Sequence, residues 1–356
     1  MKIDIIAGAR PNFVKVAPLI HAMHKQAMEV RLVHTGQHYD RLMSQSFFDD
    51  LGIPTPDVNL NCGSGTQAEQ TGAIMVAYER LLNLESSDIC VVVGDVNSTL
   101  ACAIVAKKHG LKVCHVEAGI RSGDLMMPEE INRIVTDSIT DVFYTTTQHA
   151  SQNLLSSGVN QSSVCFVGNT MIDTLTAQWD RLKAPDFYRS EGLVPKDYFV
   201  LTMHRPSNVD DISKFNSTLE KIVNLVDGKK VIFPVHPRVK GQINDTLASQ
   251  LLITEPLAYL EFNYLVRDAL AVITDSGGIT EECTVMGVPC MTLRETTERP
   301  ETVELGTNIL VGENPDNLKP CIVEVLAGQW KEHQIPPLWD GRTSERIVSD
   351  LLGRFF

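Results

Sequence analysis

The sequence predicts an α/β protein built from two doubly wound, Rossmann-like domains that face each other across a deep cleft. Short apolar runs rich in β-branched residues alternate with helix-length segments from the first residue, and the same alternation starts again after Gly168. Continuous apolar strands that are each followed by a helix are typical of a parallel sheet covered on both faces. A chain of 356 residues suits about two domains of ordinary size.

Each half of the chain supplies its own set of strands. In the first half we expect strands in "KIDIIAG", "EVRLVHTG", "DICVVVGD" and "KVCHVEAG", with helices in "NFVKVAPLIHAMHKQ" and "STLACAIVAKKHG". In the second half we expect strands in "DYFVLTMHR", "KVIFPVHPR", "LLITEPL", "AVITDSGG" and "PCMTLRE". The polar stretch "TAQWDRLKAPDFYRSEGLVPKD" contains two prolines and suits a connector between the halves.

Composition excludes several classes of protein. Hydrophobic residues make up 43% and charged residues 21% of the chain, and no stretch reaches the roughly 18 apolar residues of a membrane span. The first residues do not form a signal peptide, so we expect a cytoplasmic protein without a membrane partner. A formal net charge of −13 argues against nucleic-acid binding. The eight cysteines show no CxxC pair, which favours buried reduced thiols over a metal or disulfide framework.

Polar side chains stand where the predicted strands end. Ligands of parallel sheets bind beyond the carboxyl ends of the strands, and a purely structural pattern would scatter charge over the helix faces as well. The sequence therefore predicts a functional cleft at these ends. The residues concerned are Arg10, Gln37, His38, Asp95, Glu117, His204, Arg205, His236, Arg238, Ser276 and Arg294.

Two turns are candidate anion sites. "IIAGARPNFVK" places Arg10 and Lys15 at the start of a helix, although ordinary capping and solvated charge are equally good interpretations and no GxGxxG motif is present. "VITDSGGITEE" ends a strand with the turn 276–278 and then begins a helix, which suits a diphosphate. Glu282, about one helical turn on, could accept hydrogen bonds from a ribose diol. The alternative for this segment is a glycine-rich turn with a capping serine.

Carboxylates follow two of the strands of the first half. Asp95 and Glu117 each come just after a buried strand, where helix capping is the more frequent role of an isolated acidic residue. Glu129 and Arg133 are spaced i and i+4 on a helix predicted to start near Pro128, so their side chains should point the same way. A surface ion pair is the default expectation for that spacing.

Two strands of the second half end in a histidine followed closely by an arginine. The pairs are His204 with Arg205 and His236 with Arg238. Histidine can move a proton near neutral pH, and arginine can hold a phosphate through two hydrogen bonds. No HxH or HExxH spacing occurs, so we expect no metal site.

The motifs taken together resemble a known family. "GARPNFVKVAPL", "HTGQHYD", "VVGDVNSTL", "HVEAGIRSGD", "PEEINR", "GNTMIDTL", "MHRPSNVDD", "PVHPR", "TDSGGITEE" and "ETTERPETVELGTNILVG" resemble, in order and spacing, the non-hydrolysing UDP-N-acetylglucosamine 2-epimerases. The resemblance runs from Met1 to "LWDGRTSERIVSDLL". It implies a homodimer of the GT-B fold whose C-terminal helix crosses back to the first domain. We therefore expect an N-terminal domain of residues 1–170 with 340–356 and a UDP-binding domain of residues 171–339.

The resemblance also implies the reaction. It would be a cofactor-free interconversion of UDP-GlcNAc and UDP-ManNAc, by anti elimination of UDP to 2-acetamidoglucal and re-addition, for the synthesis of surface polysaccharide precursors. Carried over by motif, the catalytic residues would be Lys15, Asp95, Glu117, Glu129, Arg133 and His204. The residues expected to bind UDP and the substrate are Arg10, Lys15, His204, Arg205, His236, Ser276, Gly277, Gly278, Glu282 and Arg299.

Departures from the family pattern leave alternatives open. Many bacterial members bind a second UDP-GlcNAc as an activator; Gln37, His38 and Arg205 are present for it, but residues 61–72 contain no arginine, so we expect weak activation or none. "MHRPSN" and "PVHPR" differ from the commoner sequences, so a 2-epimerase of UDP-2,3-diacetamido-glucuronate stays open. A hydrolysing epimerase, expected to have a His-Gly-Gly-Glu turn in place of "HVEAG", is less favoured. The retained carboxylates also speak against a GT-B glycosyltransferase and a non-catalytic binding protein.

Overall fold

The chain folds as two compact units, each built around its own parallel sheet. The computed structural model describes residues 1–36, 48, 50–235 and 237–356, apart from the side chains of Arg10, Pro237 and Arg238. Unit 1 comprises Met1–Ala177 with Pro337–Phe356, and unit 2 comprises Gln178–Pro336. Every strand pair in this described part of the chain is parallel. The prediction of two Rossmann-like α/β domains is therefore confirmed.

The described part of unit 1 contains a seven-stranded sheet in the order β3-β2-β1-β4-β5-β6-β7. Its strands are β1 (Lys2–Ala7), β2 (Glu29–His34), β3 (Val58–Asn59), β4 (Ile89–Val93), β5 (Lys112–Val116), β6 (Val142–Thr145) and β7 (Val164–Phe166). Its helices are α1 (Arg10–Lys25), α2 (Gln67–Leu84), α3 (Asn97–Lys108), α4 (Pro128–Ile139), α5 (Gln148–Ser156) and α6 (Thr170–Gln178), with the C-terminal helix Thr343–Phe355.

The described part of unit 2 contains a six-stranded sheet in the order β10-β9-β8-β11-β12-β13. Its strands are β8 (Tyr198–Thr202), β9 (Lys230–Pro234), β10 (Leu252–Thr254), β11 (Ala271–Thr274), β12 (Cys290–Thr292) and β13 (Asn308–Leu310). Its helices are α7 (Phe187–Ser190), α8 (Pro206–Val209), α9 (Ile212–Leu225), α10 (Pro237–Lys240), α11 (Asp245–Ala248), α12 (Tyr259–Asp268), α13 (Gly277–Met286), α14 (Pro300–Glu304) and α15 (Leu318–Leu326). The C-terminal helix of unit 1 is accordingly α16.

Strand β8 shows why these runs are continuously apolar. Successive side chains of a strand point to opposite faces of the sheet. Phe199 and Leu201 belong to the hydrophobic cluster that includes Phe215 of α9, while Tyr198 and Val200 belong to a second cluster with residues of α12. Both faces of the sheet are therefore buried, which is why apolar residues dominate its strands.

The strand order of each sheet determines where a ligand can bind. In both units the chain starts in the middle of the sheet, moves outward in one direction and then continues on the other side of the first strand. This reversal falls between β1 and β4 in unit 1 and between β8 and β11 in unit 2. In open parallel sheets the crevice at such a reversal, beyond the carboxyl ends of the strands, is the usual ligand site.

The C-terminal segment is part of unit 1, as expected for a helix that crosses back. Asp173 of α6 accepts hydrogen bonds from the backbone N–H groups of Thr343 and Ser344, at 3.0 and 2.6 Å, and so caps α16. The indole N–H of Trp339 donates to the carbonyl of Thr146 at 3.1 Å. The predicted connector differs from expectation, because its first residues continue α6 and its middle forms α7.

Among the described residues, no helix is both long enough and apolar enough to cross a membrane. No group of three or more His, Cys, Asp or Glu side chains in the same part of the chain could hold a metal ion. All eight cysteines are free thiols, and six of them are buried.

Candidate active site

The first feature of the site in unit 1 is an ion pair between Lys15 and Glu117. The ammonium group of Lys15, on the second turn of α1, lies 2.7 Å from Oε2 of Glu117, which follows β5. The side chain of Lys15 is 13% exposed and that of Glu117 only 2%. The sequence suggested Lys15 as an anion ligand, and the structure instead brings it to one of the predicted carboxylates.

Asp95 is held by the guanidinium group of Arg133. Nη2 of Arg133 bonds Oδ2 of Asp95, while Nη1 donates to Oε2 of Glu130 at 2.9 Å. The expected pairing of Glu129 with Arg133 is therefore wrong. Arg133 lies on the inward face of α4 and is 3% exposed, whereas the half-buried Glu129 makes no ion pair with any described residue. Glu130, three residues before Arg133 on the helix, and Asp95 both lie within reach of that inward face.

The turns that carry Asp95 and Glu117 each contain a residue in the left-handed backbone conformation. Glu117 has a φ of 68°, a left-handed conformation that costs a non-glycine residue about 1–2 kcal/mol. Gly94 has a φ of 70°, and a Cβ at this position would lie 3.3 Å from Nζ of Lys15 and 3.9 Å from Oε2 of Glu117. The turn that carries Asp95 therefore approaches the Lys15–Glu117 pair so closely that a side chain at residue 94 would crowd it.

Sequence reasoning missed a second group of residues beneath these turns. The imidazole of His115 is fully buried and lies between Asp137 of α4 and the carbonyl of Gly94. Burial alone would raise the pKa of Asp137, but the charges and hydrogen bonds of His115 and Arg121 hold it below its usual value. The signal in the sequence was a histidine inside the apolar run "KVCHV" of β5, because a polar side chain in a buried strand needs hydrogen-bonding partners.

In unit 2, Asp275 organises the turn after β8. Its Oδ2 accepts hydrogen bonds from the backbone N–H groups of His204 and Arg205, both at 2.9 Å, and from Nδ2 of Asn208 at 3.1 Å. Its Oδ1 lies 2.8 Å from Nδ1 of His204. Burial by itself would raise the pKa of Asp275, but these hydrogen bonds hold it below its usual value. The turn is therefore fixed while the His204 side chain remains 64% exposed.

As the sequence predicts, a helix, α13, begins at the turn Ser276-Gly277-Gly278. The structure shows that this turn lies at the strand reversal of unit 2. Arg294, 6% exposed, was noted only as a polar strand end. Its Nη2 donates to Glu298 at 2.6 Å, and its buried Nη1 has no hydrogen-bonding partner among the described residues. A Cβ at Gly277 would lie 3.7 Å from that Nη1, so an unsatisfied cationic donor lies beside the helix N-terminus.

Glu282 and Arg299 are both buried in unit 2. Glu282 accepts hydrogen bonds from the hydroxyl of Tyr259 at 2.9 Å and from Nδ2 of Asn263 at 3.3 Å. Burial raises the pKa of Glu282 to about 7, because these two neutral donors compensate only part of the lost hydration. Arg299 pairs with Glu281 at 2.5 Å. Its guanidinium is thus held by the helix that follows the Ser276 turn.

Several predicted residues cannot be placed. Gln37, His38 and His236 lie outside the described residues, and so does the side chain of Arg10. The activator site of Gln37, His38 and Arg205 therefore stays a prediction.

Comparisons with known proteins identify one family. A family model described as UDP-N-acetylglucosamine 2-epimerase matches residues 21–352. The UDP-N-acetylglucosamine 2-epimerase of Methanocaldococcus jannaschii is 42% identical over 367 residues, which cover 98% of either chain. A UDP-2,3-diacetamido-2,3-dideoxy-D-glucuronate 2-epimerase of Pseudomonas aeruginosa is 38% identical over 322 residues, with coverages of 89% and 90%.

A solved structure supports the same conclusion. The crystal structure of the Methanocaldococcus jannaschii UDP-GlcNAc 2-epimerase in complex with UDP-GlcNAc and UDP has a TM-score of 0.88 and 41% sequence identity to this chain. The match covers 99% of this chain and 100% of that chain.

Proposed function

The chain belongs to the UDP-N-acetylglucosamine 2-epimerase family of isomerases, and we propose that it interconverts UDP-GlcNAc and UDP-ManNAc without a cofactor. The observation that carries this proposal is the pairing in unit 1 of two carboxylates with two cations. Glu117 with Lys15 and Asp95 with Arg133 occupy neighbouring turns at the carboxyl ends of β5 and β4. A binding protein or a glycosyltransferase would have no use for two such held carboxylates.

The chemistry explains why carboxylates are needed. The C2 proton of the sugar is not next to a carbonyl, so its removal alone would give an unstabilised carbanion. In an anti elimination, a base takes this proton while the C1–O bond breaks and its electron pair leaves with UDP. The product is 2-acetamidoglucal. Protonation of the opposite face of C2 and return of the UDP oxygen to C1 then give the epimer.

We assign the proton transfers to residues of unit 1. Asp95, Glu117 and Glu129 are the acid and base candidates, because a carboxylate can both accept and return a proton. Lys15 stabilises the Glu117 carboxylate electrostatically. Arg133 orients Asp95 through one arm of its guanidinium while the other arm is anchored on Glu130.

We assign the binding of UDP to residues of unit 2. The donor-rich N-terminus of α13 at Ser276 suits a diphosphate, and the unsatisfied Nη1 of Arg294 beside it would add a charge-assisted hydrogen bond. His204, held by Asp275, would stabilise the negative charge that develops as UDP leaves. Glu282 would accept a ribose hydroxyl.

Incubation with UDP-GlcNAc in D2O tests the reaction. We expect UDP-ManNAc that carries deuterium at C2, observed by NMR as loss of the C2 proton signal. Product without deuterium would contradict the elimination mechanism. Free ManNAc as the main product would favour a hydrolysing epimerase instead.

A second substrate is favoured by one specific comparison, the 38% identity to a 2-epimerase of UDP-2,3-diacetamido-2,3-dideoxy-D-glucuronate. Its reaction would use the same carboxylates, because the chemistry at C1 and C2 is unchanged. Parallel measurement of kcat/KM on both nucleotide sugars decides between them. For either substrate we propose that the product supplies surface polysaccharide synthesis.

We also propose that the protein is a homodimer that uses the outer face of α4. On this helix the polar residues face the interior and apolar residues face the solvent. Glu130, Arg133 and Asp137 are buried, while Ile131 and Ile134 are 43% and 39% exposed. An apolar face left to water on a helix whose polar face is buried suits contact with a second copy.

A further inference from the structure

The buried imidazole of His115 connects the turns that carry the two ion-paired carboxylates. Its Nε2 lies 2.8 Å from the carbonyl oxygen of Gly94, the residue before Asp95. Its Nδ1 lies 2.7 Å from Oδ1 of Asp137. The other oxygen of Asp137 accepts a hydrogen bond from the backbone N–H of Gly119 at 3.1 Å, and Nη1 of Arg121 lies 2.7 Å from it.

The protons of this group can be assigned from its partners. A carbonyl oxygen only accepts, so Nε2 of His115 must carry a proton and donate it to Gly94. The short contact of Nδ1 with Asp137 requires a second proton on one of the two groups. Asp137 already faces a guanidinium and a backbone N–H, which both favour its ionised form. The ring of His115 is therefore held at both nitrogens, by the Gly94 carbonyl on one side and the Asp137 carboxylate on the other.

We propose that His115, held in place by Asp137, is a positioning residue for Asp95 and Glu117. This inference rests on the proposed function, since it assumes that these two carboxylates transfer the protons. The Nε2–H group of His115 fixes the Gly94 carbonyl and thereby the turn that carries Asp95. Asp137 fixes the N–H of Gly119, two residues after Glu117.

The arrangement also accounts for the backbone of Glu117. A residue in a left-handed conformation persists only where surrounding contacts over-determine it. Here the strand before Glu117 is anchored by His115 and the turn after it by the Gly119 bond, and both anchors end on the same carboxylate. A Cβ at Gly119 would lie 2.2 Å from the carbonyl oxygen of Ala150, so the chain has no freedom to shift there.

Two substitutions of His115 separate its two hydrogen bonds. His115→Gln places an amide N–H where Nε2 stood and keeps the bond to Gly94, whereas His115→Asn places one where Nδ1 stood and keeps only the bond to Asp137. We expect kcat of the Gln variant to stay within about tenfold of wild type and that of the Asn variant to fall about 10²-fold, because a small misplacement of a reacting group has that effect. The KM for UDP-GlcNAc and the Kd for UDP should stay within about twofold in both.

A matched control separates positioning from stability. Ser87→Ala removes a buried hydrogen bond of 2.6 Å to Asp4, at the opposite end of the same sheet. It should lower the unfolding midpoint of the protein and leave kcat unchanged. A loss of kcat in this control comparable to that of His115→Asn would overturn the positioning role.

The hydrogen bond to Gly94 has a spectroscopic signature that does not depend on activity. In protein labelled with 15N-histidine, we expect a slowly exchanging ring Nε2–H signal that is absent from both His115 variants. A His115 ring without a proton on Nε2, or equal kcat values in the Gln and Asn variants, would overturn the inference. Wild-type protein that does not epimerise UDP-GlcNAc would instead overturn the proposed function, and with it the positioning role.

Discussion

The ammonium group of Lys15 lies 2.7 Å from the carboxylate of Glu117, although the two residues are 102 positions apart in the sequence. One stands on the helix after β1 and the other follows β5, and β4 pairs with both strands. The contact between Lys15 and Glu117 therefore passes over the end of β4, the strand that Asp95 follows. An ammonium buried against a carboxylate at the strand reversal brings a fixed positive charge to the group proposed to act on C2.

Removal of this charge should impair turnover. We expect Lys15→Met to lower kcat about 10²-fold, because the loss of the ammonium group beside Glu117 disfavours the ionised carboxylate that acts as a base. Steady-state kinetics with UDP-GlcNAc measure the effect. Lys25→Met, at the exposed end of the same helix, is the matched control and should behave as wild type. A Lys15→Met variant as active as this control would contradict the assignment.

Asp95→Asn should abolish turnover and leave UDP affinity within a few-fold. Asparagine preserves the shape of the side chain but cannot exchange a proton at neutral pH. Kinetics and calorimetric titration with UDP test the two parts separately. Asp88→Asn is the control, because Asp88 precedes β4 just as Asp95 follows it. Wild-type rates in Asp95→Asn would remove this residue from the mechanism.

Arg294→Lys should weaken UDP binding about tenfold. Lysine can pair with Glu298 but cannot at the same time present a second donor, as the fork of arginine does. Arg267→Lys removes the guanidinium from a comparable pair with Asp268 on α12 and serves as the control. Unchanged UDP affinity in Arg294→Lys would show that the free Nη1 does not reach the nucleotide.

Glu282 should make the stability of the protein depend on pH. Its pKa is raised to about 7 in the folded state by burial, from about 4.3 in an unfolded chain. The folded state therefore holds this proton more tightly, and the stabilisation by that proton, complete below about pH 4, is lost as the pH rises towards 7.

The neutral variant Glu282→Gln should accordingly be more stable than wild type at pH 8, by on the order of 1–3 kcal/mol, and show no such gain at pH 5. Urea midpoints at the two pH values measure this difference. Glu220→Gln, on the exposed face of α9, should show no pH-dependent difference. If Glu282→Gln is instead less stable than wild type at pH 8, the carboxylate of Glu282 is ionised and fully hydrogen-bonded in the folded protein.

The exposed face of α4 should control the oligomeric state. We expect wild-type protein to elute as a dimer in size-exclusion chromatography with light scattering, and Ile134→Asp to elute as a monomer, because a buried unpaired charge is costly. Val323→Asp, which is also an exposed apolar position but lies in unit 2, should leave the dimer intact. A wild-type monomer would contradict the proposal.

The sequence by itself determined the class of the fold and the strand ends at which its polar motifs lie. Continuous apolar runs that alternate with helix-length segments are typical of parallel sheets covered on both faces, and the motifs at the strand ends identified the family. The same local pattern located Asp95, Glu117 and the Ser276 turn at strand ends. None of these inferences needed to know which strands are neighbours.

Only the tertiary structure decided how these residues pair. The spacing of Glu129 and Arg133 predicts an ion pair, but α4 turns its polar face inward, and Arg133 reaches Asp95 and Glu130 instead. Lys15 meets Glu117 because β4 pairs with both β1 and β5. The hydrogen bonds of His115 likewise go to a carbonyl and a carboxylate contributed by other elements. These pairings depend on distances between segments remote in sequence, and a local pattern does not contain those distances.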